Sequence, residues 1–405
     1  MKPYEADLLR TVAPIPRAGR VLLSLLSRLR YGSLRLNTPD GMSFSFQGEL
    51  PGPYANFDIL DWRACGELLR RGDVGFAEGY IERLWDTDDL AGLISLAAMN
   101  RDAVEKAIYG RWWGQVIYRL RHFMRANTRT GSRRNIAAHY DLGNDFYRLW
   151  LDETMTYSAG IFGGNPSCTL EDSQFAKYER VLERLGAKRG ERILEIGCGW
   201  GGFATYAART RGCNVHGVTL STEQSKWAKE RAASEGVGAN SNFELRDYRD
   251  TAGHYDHVVS LEMYEAVGER YWPDYFRTLR ERLRPGGKAL IQAITIDDQL
   301  FDRYRRGSDF IQQYVFPGGM LASPQVLRSQ AEGAGLRVVD VFSFGSDYAE
   351  TLRRWRARFN MATMEVRRLG FDERFQRLWH FYLAYCEAGF RARSTDVLQV
   401  ELCHA

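Results

Sequence analysis

Several residues that could bind a ligand stand together at the end of a short apolar run, residues 193–196. Glu195 lies within the run, and Gly197, Gly199 and Gly201 follow it. Glycine adopts positive φ and lets the backbone approach a ligand closely, while a carboxylate accepts hydrogen bonds from ligand hydroxyls or an ammonium group. The pattern predicts a buried parallel strand that turns sharply into a helix, with a ligand beside the turn. A turn that serves only strand–helix packing is the alternative.

Ligand-facing positions also follow the next two predicted strands. Thr219 and Leu220 stand at the end of the second strand, with Gln224 one turn later, and Asp247 and Tyr248 stand at the end of the third. A dinucleotide-binding turn would be followed, about 20 residues on, by an acidic residue for the ribose hydroxyls, and the second strand does not end in one. Binding groups after successive strands fit S-adenosylmethionine (SAM) better. We therefore predict an α/β fold with a doubly wound sheet and a SAM site.

The composition is that of a globular protein with a large core. The chain has 405 residues, of which 44% are hydrophobic, and its 55 basic residues nearly balance its 51 acidic residues. The cysteines form no C-x-x-C pair, which argues against structural zinc or a disulfide scaffold and favours a reducing cytosol. The sequence shows neither a signal-peptide pattern nor a run of about 18 apolar residues. We expect a cytoplasmic protein without a metal site.

The chain divides into three parts by its patterns. Residues 1–110 predict a small α+β domain, a candidate for lipid or partner contact, in which 32–37 and 42–47 form a hairpin. Residues 111–134 interleave arginines with aromatic residues and predict a basic helical linker. That stretch could bind nucleic acid, anionic lipid or an acidic partner, or it could be a solvated interdomain helix. Residues 135–405 carry the alternating strands and helices of the SAM-binding domain.

Three further segments bear on packing and on the substrate. An amphipathic helix before residue 30 could lie on a membrane surface or pack on the neighbouring domain. Residues 297–323 form an insertion rich in Phe and Tyr, where an apolar substrate could enter above the sheet or where a lid could only shield the cofactor. Residues 395–402 alternate in polarity and predict an edge strand.

These features coincide with the motifs of a known family. The chain resembles the cyclopropane-fatty-acyl-phospholipid synthases and mycolic acid cyclopropane synthases from about residue 135 onward, and more loosely over 30–110. The resemblance implies the class I SAM-dependent methyltransferase fold, which is Rossmann-like. The stretches that carry it are His139–Leu142, Asn144–Tyr147, Met155–Ser158, Glu195–Gly202, Gly217–Ser221, Gln224, Asp247–Asp250, Tyr314–Gly318, Cys386 and Ala388–Arg391.

The resemblance also implies a cofactor site and a substrate. The substrate would be the cis double bond of an acyl chain on a phospholipid, so we expect peripheral contact with the inner face of the membrane. Nucleic acid is not an expected partner, and a homodimer is an option. The residues implied to bind SAM are Tyr157, Ser158, Glu195, Gly197, Gly199, Gly201, Thr219, Leu220, Gln224, Asp247 and Tyr248.

In this family a bound bicarbonate ion is credited with removing a proton from the added methyl group so that a ring closes. The resemblance implies a bicarbonate site made of Cys, Glu, His, Ile and Tyr. The chain matches that set at Glu265, Ile294 and Tyr348, but has Ala159 at the cysteine position and Gln292 at the histidine position. Gln292 can still donate a hydrogen bond through its amide, whereas Ala159 can donate only through its backbone N–H.

Cys386 is a further catalytic candidate, because it matches a cysteine of the family pattern. A sulfonium donates its methyl group directly, so that no covalent enzyme intermediate is needed. A buried packing role is therefore favoured for this thiol.

These observations lead to a hypothesis about the reaction. Methylation of an alkene leaves a carbocation, which needs a dry, aromatic-rich site. Because the bicarbonate site is altered, we expect a C-methyltransferase of unsaturated phospholipid acyl chains that gives a methyl-branched or methylene product. The alternatives are a true cyclopropane synthase, a non-catalytic homologue that binds SAM or lipid, and a nucleic-acid methyltransferase. A lipid substrate requires an apolar channel that reaches the space above Gly199.

Overall fold

The computed structural model describes residues 15–101 and 142–405. Two sequence-based predictions lie outside these residues. They are the basic linker over 111–134 and most of the family motif His139–Leu142. The boundaries of the three predicted domains also fall there, so that division of the chain stays a prediction.

The amino-terminal region is a small sheet with helices packed against it. Its described elements are α1 (Arg17–Leu26), β1 (Tyr31–Asn37), β2 (Ser43–Gln47), β3 (Leu50–Ile59), α2 (Arg63–Ile81), β4 (Trp85–Asp86) and α3 (Leu90–Met99). The strand order is β2-β1-β3-β4, and β1 pairs antiparallel with β2, so the predicted hairpin is confirmed. Gly72 kinks α2 with a φ of 61°, and the Asp89 side chain caps α3 by accepting from the Gly92 N–H.

The carboxyl-terminal region alternates strands and helices around a larger sheet. Its elements are α4 (Asn144–Arg148), α5 (Leu170–Leu185), β5 (Arg192–Ile196), α6 (Gly202–Arg211), β6 (Asn214–Thr219), α7 (Thr222–Ser234), β7 (Ser241–Leu245), β8 (Tyr255–Leu261), α8 (Trp272–Arg282), β9 (Leu283–Ile296), α9 (Asp298–Tyr304), α10 (Phe310–Tyr314), α11 (Pro324–Gly333), β10 (Leu336–Ser343), α12 (Gly345–Met361), α13 (Thr363–Arg368), α14 (Glu373–Arg391) and β11 (Thr395–His404).

The strand order of the larger sheet sets the position of the site. The order is β10-β11-β9-β8-β5-β6-β7, and the five strands from β9 to β7 are parallel. The chain runs outward from β5 to β7 and then returns to the other side of β5 with β8. Ligands bind where the strand order reverses in this way, beside the carboxyl ends of the strands. The ends of β5 and β8 therefore lie next to each other at the expected binding position.

The prediction that residues 395–402 form an edge strand is wrong. β11 lies between β9 and β10 and pairs antiparallel with both. Residues Val397 to Leu402 are buried without a break, because both faces of this inner strand are covered. β10 forms the edge instead, and there the burial alternates from residue to residue. In the sequence, the polar residues Gln399 and Glu401 indicated an exposed face. Both are buried, and Gln399 bonds to Gln292 while Glu401 pairs with Arg184.

The two regions share one hydrophobic core. Phe381 of α14 packs between the two, with ring centroids 5.9 Å from Tyr80 and 4.9 Å from Phe310. The Tyr80 hydroxyl also lies 3.0 Å from Nδ1 of His380. The apolar face of α1 is turned inward, with Leu22 and Leu25 about 5% exposed. Of the two interpretations of this helix, packing inside the molecule is the one that the structure supports.

Across the described residues, no helix combines the length and the apolar character needed to cross a membrane.

Candidate active site

The glycine turn lies between β5 and α6, as predicted. Gly197, Gly199 and Gly201 have φ values of 81°, 51° and 80°, which other residues rarely adopt. A Cβ at Gly197 would lie 2.7 Å from the side chain of Met263, so the turn also lacks room for a larger residue. A Cβ at Gly201 would lie 2.9 Å from Ala228, which gives Gly201 a role in helix packing.

Glu195, in β5, has a carboxylate oxygen that is open to a ligand. Glu195 is 3% exposed, and its Oε2 has no hydrogen-bond partner among the described residues. Burial raises the pKa of Glu195 well above its usual value, while the charge of Lys177 opposes that rise. A buried acceptor of this kind suits the hydroxyls or the ammonium group of SAM, so the residues present fit this cofactor.

The other predicted cofactor residues surround the same space. All of the predicted cofactor residues except Gly201 line one cavity. Thr219 Oγ1 donates to Gln224 Oε1 at 2.9 Å, which fixes both side chains. The carboxylate of Asp247 is held by the guanidinium of Arg249 at 2.6 Å. The ends of β5, β6 and β7 thus meet at one cavity, and that these residues bind the cofactor stays a prediction.

This cavity has a volume of about 720 Å³ and runs from the glycine turn to the amino-terminal region. Its wall continues from Gly199 past Ile294 and Phe316 of the aromatic insertion. The far end is formed by apolar side chains of α1 and α3, including Leu26 and Ile94. The apolar channel that a lipid substrate requires is therefore present.

Glu262, directly after β8, places its carboxylate at the centre of a hydrogen-bond network. Its Oε1 accepts from Ser158 Oγ at 2.8 Å, from the Ala159 N–H at 2.9 Å and from Gln292 Nε2 at 2.7 Å. Its Oε2 accepts from the Tyr348 hydroxyl at 2.6 Å. Glu262 has a φ of 52°, a conformation that costs a residue with a side chain about 1 kcal/mol or more. The four donors compensate the negative charge and hold the strained backbone.

This network uses the donors that were expected to hold bicarbonate. Gln292, Ala159 and Tyr348 all donate to Glu262. Gln292 is fully buried and is not part of the cavity wall, and its Oε1 accepts from Gln399 at 2.9 Å. A carboxylate of the chain therefore occupies the place at which a diffusible anion was expected.

Lys177 supplies the positive charge behind this network. It lies on the buried face of α5 and is 0% exposed, and its Nζ donates to Ser158 Oγ at 3.0 Å. Burial lowers the pKa of Lys177 to about 8, against the opposing effect of Glu262, Asp152 and Glu195. A lysine that is protonated at neutral pH balances these buried acids.

Glu265 stands in a different environment from Glu262. Its Oε1 accepts from the Ile294 N–H at 2.5 Å, and its buried Oε2 has no partner in the described part of the chain. The residue is partly buried and faces the cavity. Burial, with a further contribution from the charge of Glu262, raises the pKa of Glu265 to about 8. At pH 7 most of this group carries a proton, a state that suits a hydrogen-bond donor rather than a base.

Aromatic rings and a thiol complete the wall near these two acids. The Tyr157 hydroxyl lies 2.5 Å from the Tyr382 hydroxyl, and the Tyr157 ring stacks on Phe316. Cys386 faces the same cavity, and burial raises the pKa of its thiol, which leaves it unreactive. Ile294, in contrast, contributes its backbone N–H to Glu265. Aromatic faces around an apolar cavity stabilise positive charge.

Two residues of the network were missed in the sequence. Glu262 stands three positions before Glu265, and its place directly after the apolar segment that forms β8 was the available signal. Lys177 falls at helical spacing from the apolar residues Val181 and Leu170, and a lysine on an apolar helix face is rarely buried without a partner. Neither signal identifies the hydrogen-bond partners of Glu262 and Lys177, because these partners come from other parts of the chain.

Comparisons with known proteins agree on one family. The family model described as mycolic acid cyclopropane synthetase matches residues 127–400. The tuberculostearic acid methyltransferase UfaA1 of Mycobacterium tuberculosis is 43% identical over 82% of this chain and 78% of its own length. The cyclopropane-fatty-acyl-phospholipid synthase of Escherichia coli K12 is 34% identical over 82% of this chain and 84% of its own length.

A solved structure gives the same result for the fold. The mycolic acid cyclopropane synthase CmaA1, complexed with SAH and CTAB, aligns with a TM-score of 0.63 and 30% identity. The alignment covers 67% of this chain and 97% of that chain. The predicted class I methyltransferase fold is thereby confirmed.

Proposed function

Since the chain belongs to the mycolic acid cyclopropane synthetase family, we propose that it methylates a carbon of the double bond in unsaturated acyl chains of phospholipids. The chain is a SAM-dependent methyltransferase. The phospholipid substrate, the branched product and contact with the inner face of the membrane are the parts that we propose.

The observation that carries the lipid substrate is the cavity. It joins the glycine turn to the leucines of α1, and Phe316 and Ile294 line it between the two. Apolar walls draw an acyl chain out of water, and they place its double bond near the methyl donor. SAM, when bound, supplies an electrophilic methyl group. The aromatic side chains of Tyr157, Phe316 and Tyr382 then face the region in which positive charge develops on the acyl chain.

The branched product is supported by the environment of Glu262. A ring requires a base that reaches the added methyl group, and the donors expected to place bicarbonate there are taken by Glu262. We propose that the cation loses a proton to give an alkene with a methyl branch or a methylene group. A true cyclopropane synthase stays the second candidate, because a relative that is 34% identical bears that name.

Mass spectrometry of labelled lipids tests this function. The purified protein is incubated with methyl-labelled SAM and vesicles of phosphatidylglycerol that carries one defined cis-monounsaturated chain. We expect labelled fatty acids with a methyl branch or a methylene group. A clean cyclopropane fatty acid would contradict the branched product alone, and the absence of label from every lipid would contradict the lipid substrate.

A pair of variants on α1 tests the cavity as the chain-binding site. Leu26 lines the cavity, whereas Val21 on the same helix is 45% exposed. We expect Leu26→Trp to shorten the cavity and shift the preference toward shorter acyl chains, because the larger ring fills its far end. Val21→Trp is the matched control and should keep the preference of the wild type. Equal preferences in both variants would show that the acyl chain does not reach α1.

A further inference from the structure

We infer that Glu262 is the base that removes the proton from the methylated acyl chain, in place of any diffusible anion. This inference deepens the proposed function and rests on it. Its basis is the position of the Glu262 carboxylate, which lines the cavity beside Tyr348 and the aromatic wall and is held from behind by Ser158, Ala159 and Gln292.

The hydrogen bonds define which side of the carboxylate is available. Oε1 receives three donors from the protein interior, whereas Oε2 receives, among residues 15–101 and 142–405, only the Tyr348 hydroxyl. A carboxylate oxygen can accept a further hydrogen bond besides one donor. Oε2 is therefore the oxygen that we assign to the proton. The ammonium of Lys177, which reaches Ser158 at 3.0 Å, keeps the charge of the network balanced.

The step balances without another reactant. A C–H bond next to the cationic carbon breaks, and its electron pair forms the new C=C bond. The proton moves to Oε2 of Glu262, which becomes a neutral carboxylic acid and releases the proton to solvent when the product leaves. An alkyl cation is a far stronger acid than a carboxylic acid, so even a well-solvated carboxylate accepts its proton. The position of the base therefore matters more than its strength.

The strained backbone at Glu262 offers a clean test. Glu262→Gly removes the carboxylate and at the same time suits the φ of 52°. It leaves the donors of Ser158, Ala159, Gln292 and Tyr348 open to an added anion. Arg83→Gly is the matched control, since Arg83 has a φ of 57° and lies on the surface outside the cavity.

The experiment uses the full chain and two small anions, formate and bicarbonate. Product formation from labelled SAM and monounsaturated phosphatidylglycerol is measured in bicarbonate-free buffer and after addition of each anion. The melting temperature is followed with each anion, and SAM affinity is measured by calorimetry.

We expect wild-type product formation to be independent of bicarbonate, and Arg83→Gly to behave alike. Glu262→Gly should bind SAM within about threefold of the wild type but lose at least about 100-fold in product formation. Formate or bicarbonate should raise the melting temperature of this variant and increase its rate of product formation at least about tenfold over the rate without anion. Full activity of Glu262→Gly in anion-free buffer, or a folded variant that neither anion stabilises or rescues, would overturn the inference.

Failure of the proposed function has a different signature. In that case the wild type itself transfers no methyl group to phospholipid under any condition. The change in melting temperature of Glu262→Gly with formate still decides whether this position holds an anion, because it does not depend on turnover.

Discussion

Glu262 and Glu265 follow the same strand and face the same cavity, yet the structure gives them different chemical states. Glu262 receives four hydrogen bonds from the protein, whereas Glu265 receives one from the Ile294 N–H and leaves a buried oxygen without a partner in the described residues. Burial raises the pKa of Glu265 to about 8. Neighbouring acids therefore differ in their environment: four donors surround Glu262, whereas burial favours the protonated form of Glu265.

The comparison also explains why the two acids are coupled. The charge of Glu262 contributes to the raised pKa of Glu265, since two nearby carboxylates resist ionising together. A fixed charge at Glu262 thus helps to keep the proton on Glu265. The prediction from the sequence placed Glu265 in the bicarbonate site, whereas the hydrogen bonds favour Glu262 as the base.

The largest expected effect is a difference in activity between a variant of Glu262 and the same variant of Glu265. Glu262→Gln keeps the shape of the side chain but cannot take up a proton, so we expect product formation to fall by about 1000-fold. Glu265→Gln resembles the protonated form that prevails at pH 7, and its loss should stay below about tenfold. Product formation at pH 7 and SAM affinity by calorimetry are measured for both. A larger loss in Glu265→Gln than in Glu262→Gln would reverse the assignment.

The second effect concerns stability and pH. The pKa of Glu265 is raised from 4.5 to about 8 in the folded protein, so the folded state keeps a proton that the unfolded state releases. The free energy of unfolding should therefore fall as pH rises from about 4.5 to 8, by up to about 1.4 kcal/mol for each pH unit. Glu265→Gln should be free of this contribution and become more stable than the wild type toward pH 8. Urea titrations at pH 5, 6.5 and 8 measure the difference. A constant difference across these pH values would contradict the protonated state of Glu265.

The smallest expected effect isolates one donor of Glu262. Tyr348→Phe removes the hydroxyl that donates to Oε2 at 2.6 Å and leaves the ring in place. A hydrogen bond to a charged group contributes about 1.5–3 kcal/mol, and we expect about a tenfold loss in product formation. Tyr382→Phe is the matched comparison, because the Tyr382 hydroxyl bonds to Tyr157 and not to Glu262. Equal losses in the two variants would mean that the contact with Glu262 contributes nothing specific.

The grouping of residues around the glycine turn was predictable from the sequence, whereas the network around Glu262 was not. The glycine turn and the positions after β5, β6 and β7 are local patterns, and parallel strands bring their carboxyl ends to one edge. The partners of Glu262 come from Ser158, Gln292 and Tyr348, which are far apart in the chain. In the sequence, Ala159 and Gln292 appeared as replacements of residues in the family's bicarbonate site. Only their hydrogen bonds to the Glu262 carboxylate show that they belong to one network around that group. The position of β11 in the sheet was predicted wrongly for a similar reason, because the alternation of polar and apolar residues does not show whether both faces of a strand are covered.

The left-handed backbone at Glu262 has a consequence for how such a site can change over generations. Every glutamate codon becomes a glycine codon by one nucleotide transition, and glycine is the residue that this backbone conformation prefers. A single mutation could therefore exchange a tethered carboxylate for an open anion site and relieve the backbone strain at the same position. Two reaction outcomes would then be separated by one evolutionary step that backbone strain does not oppose.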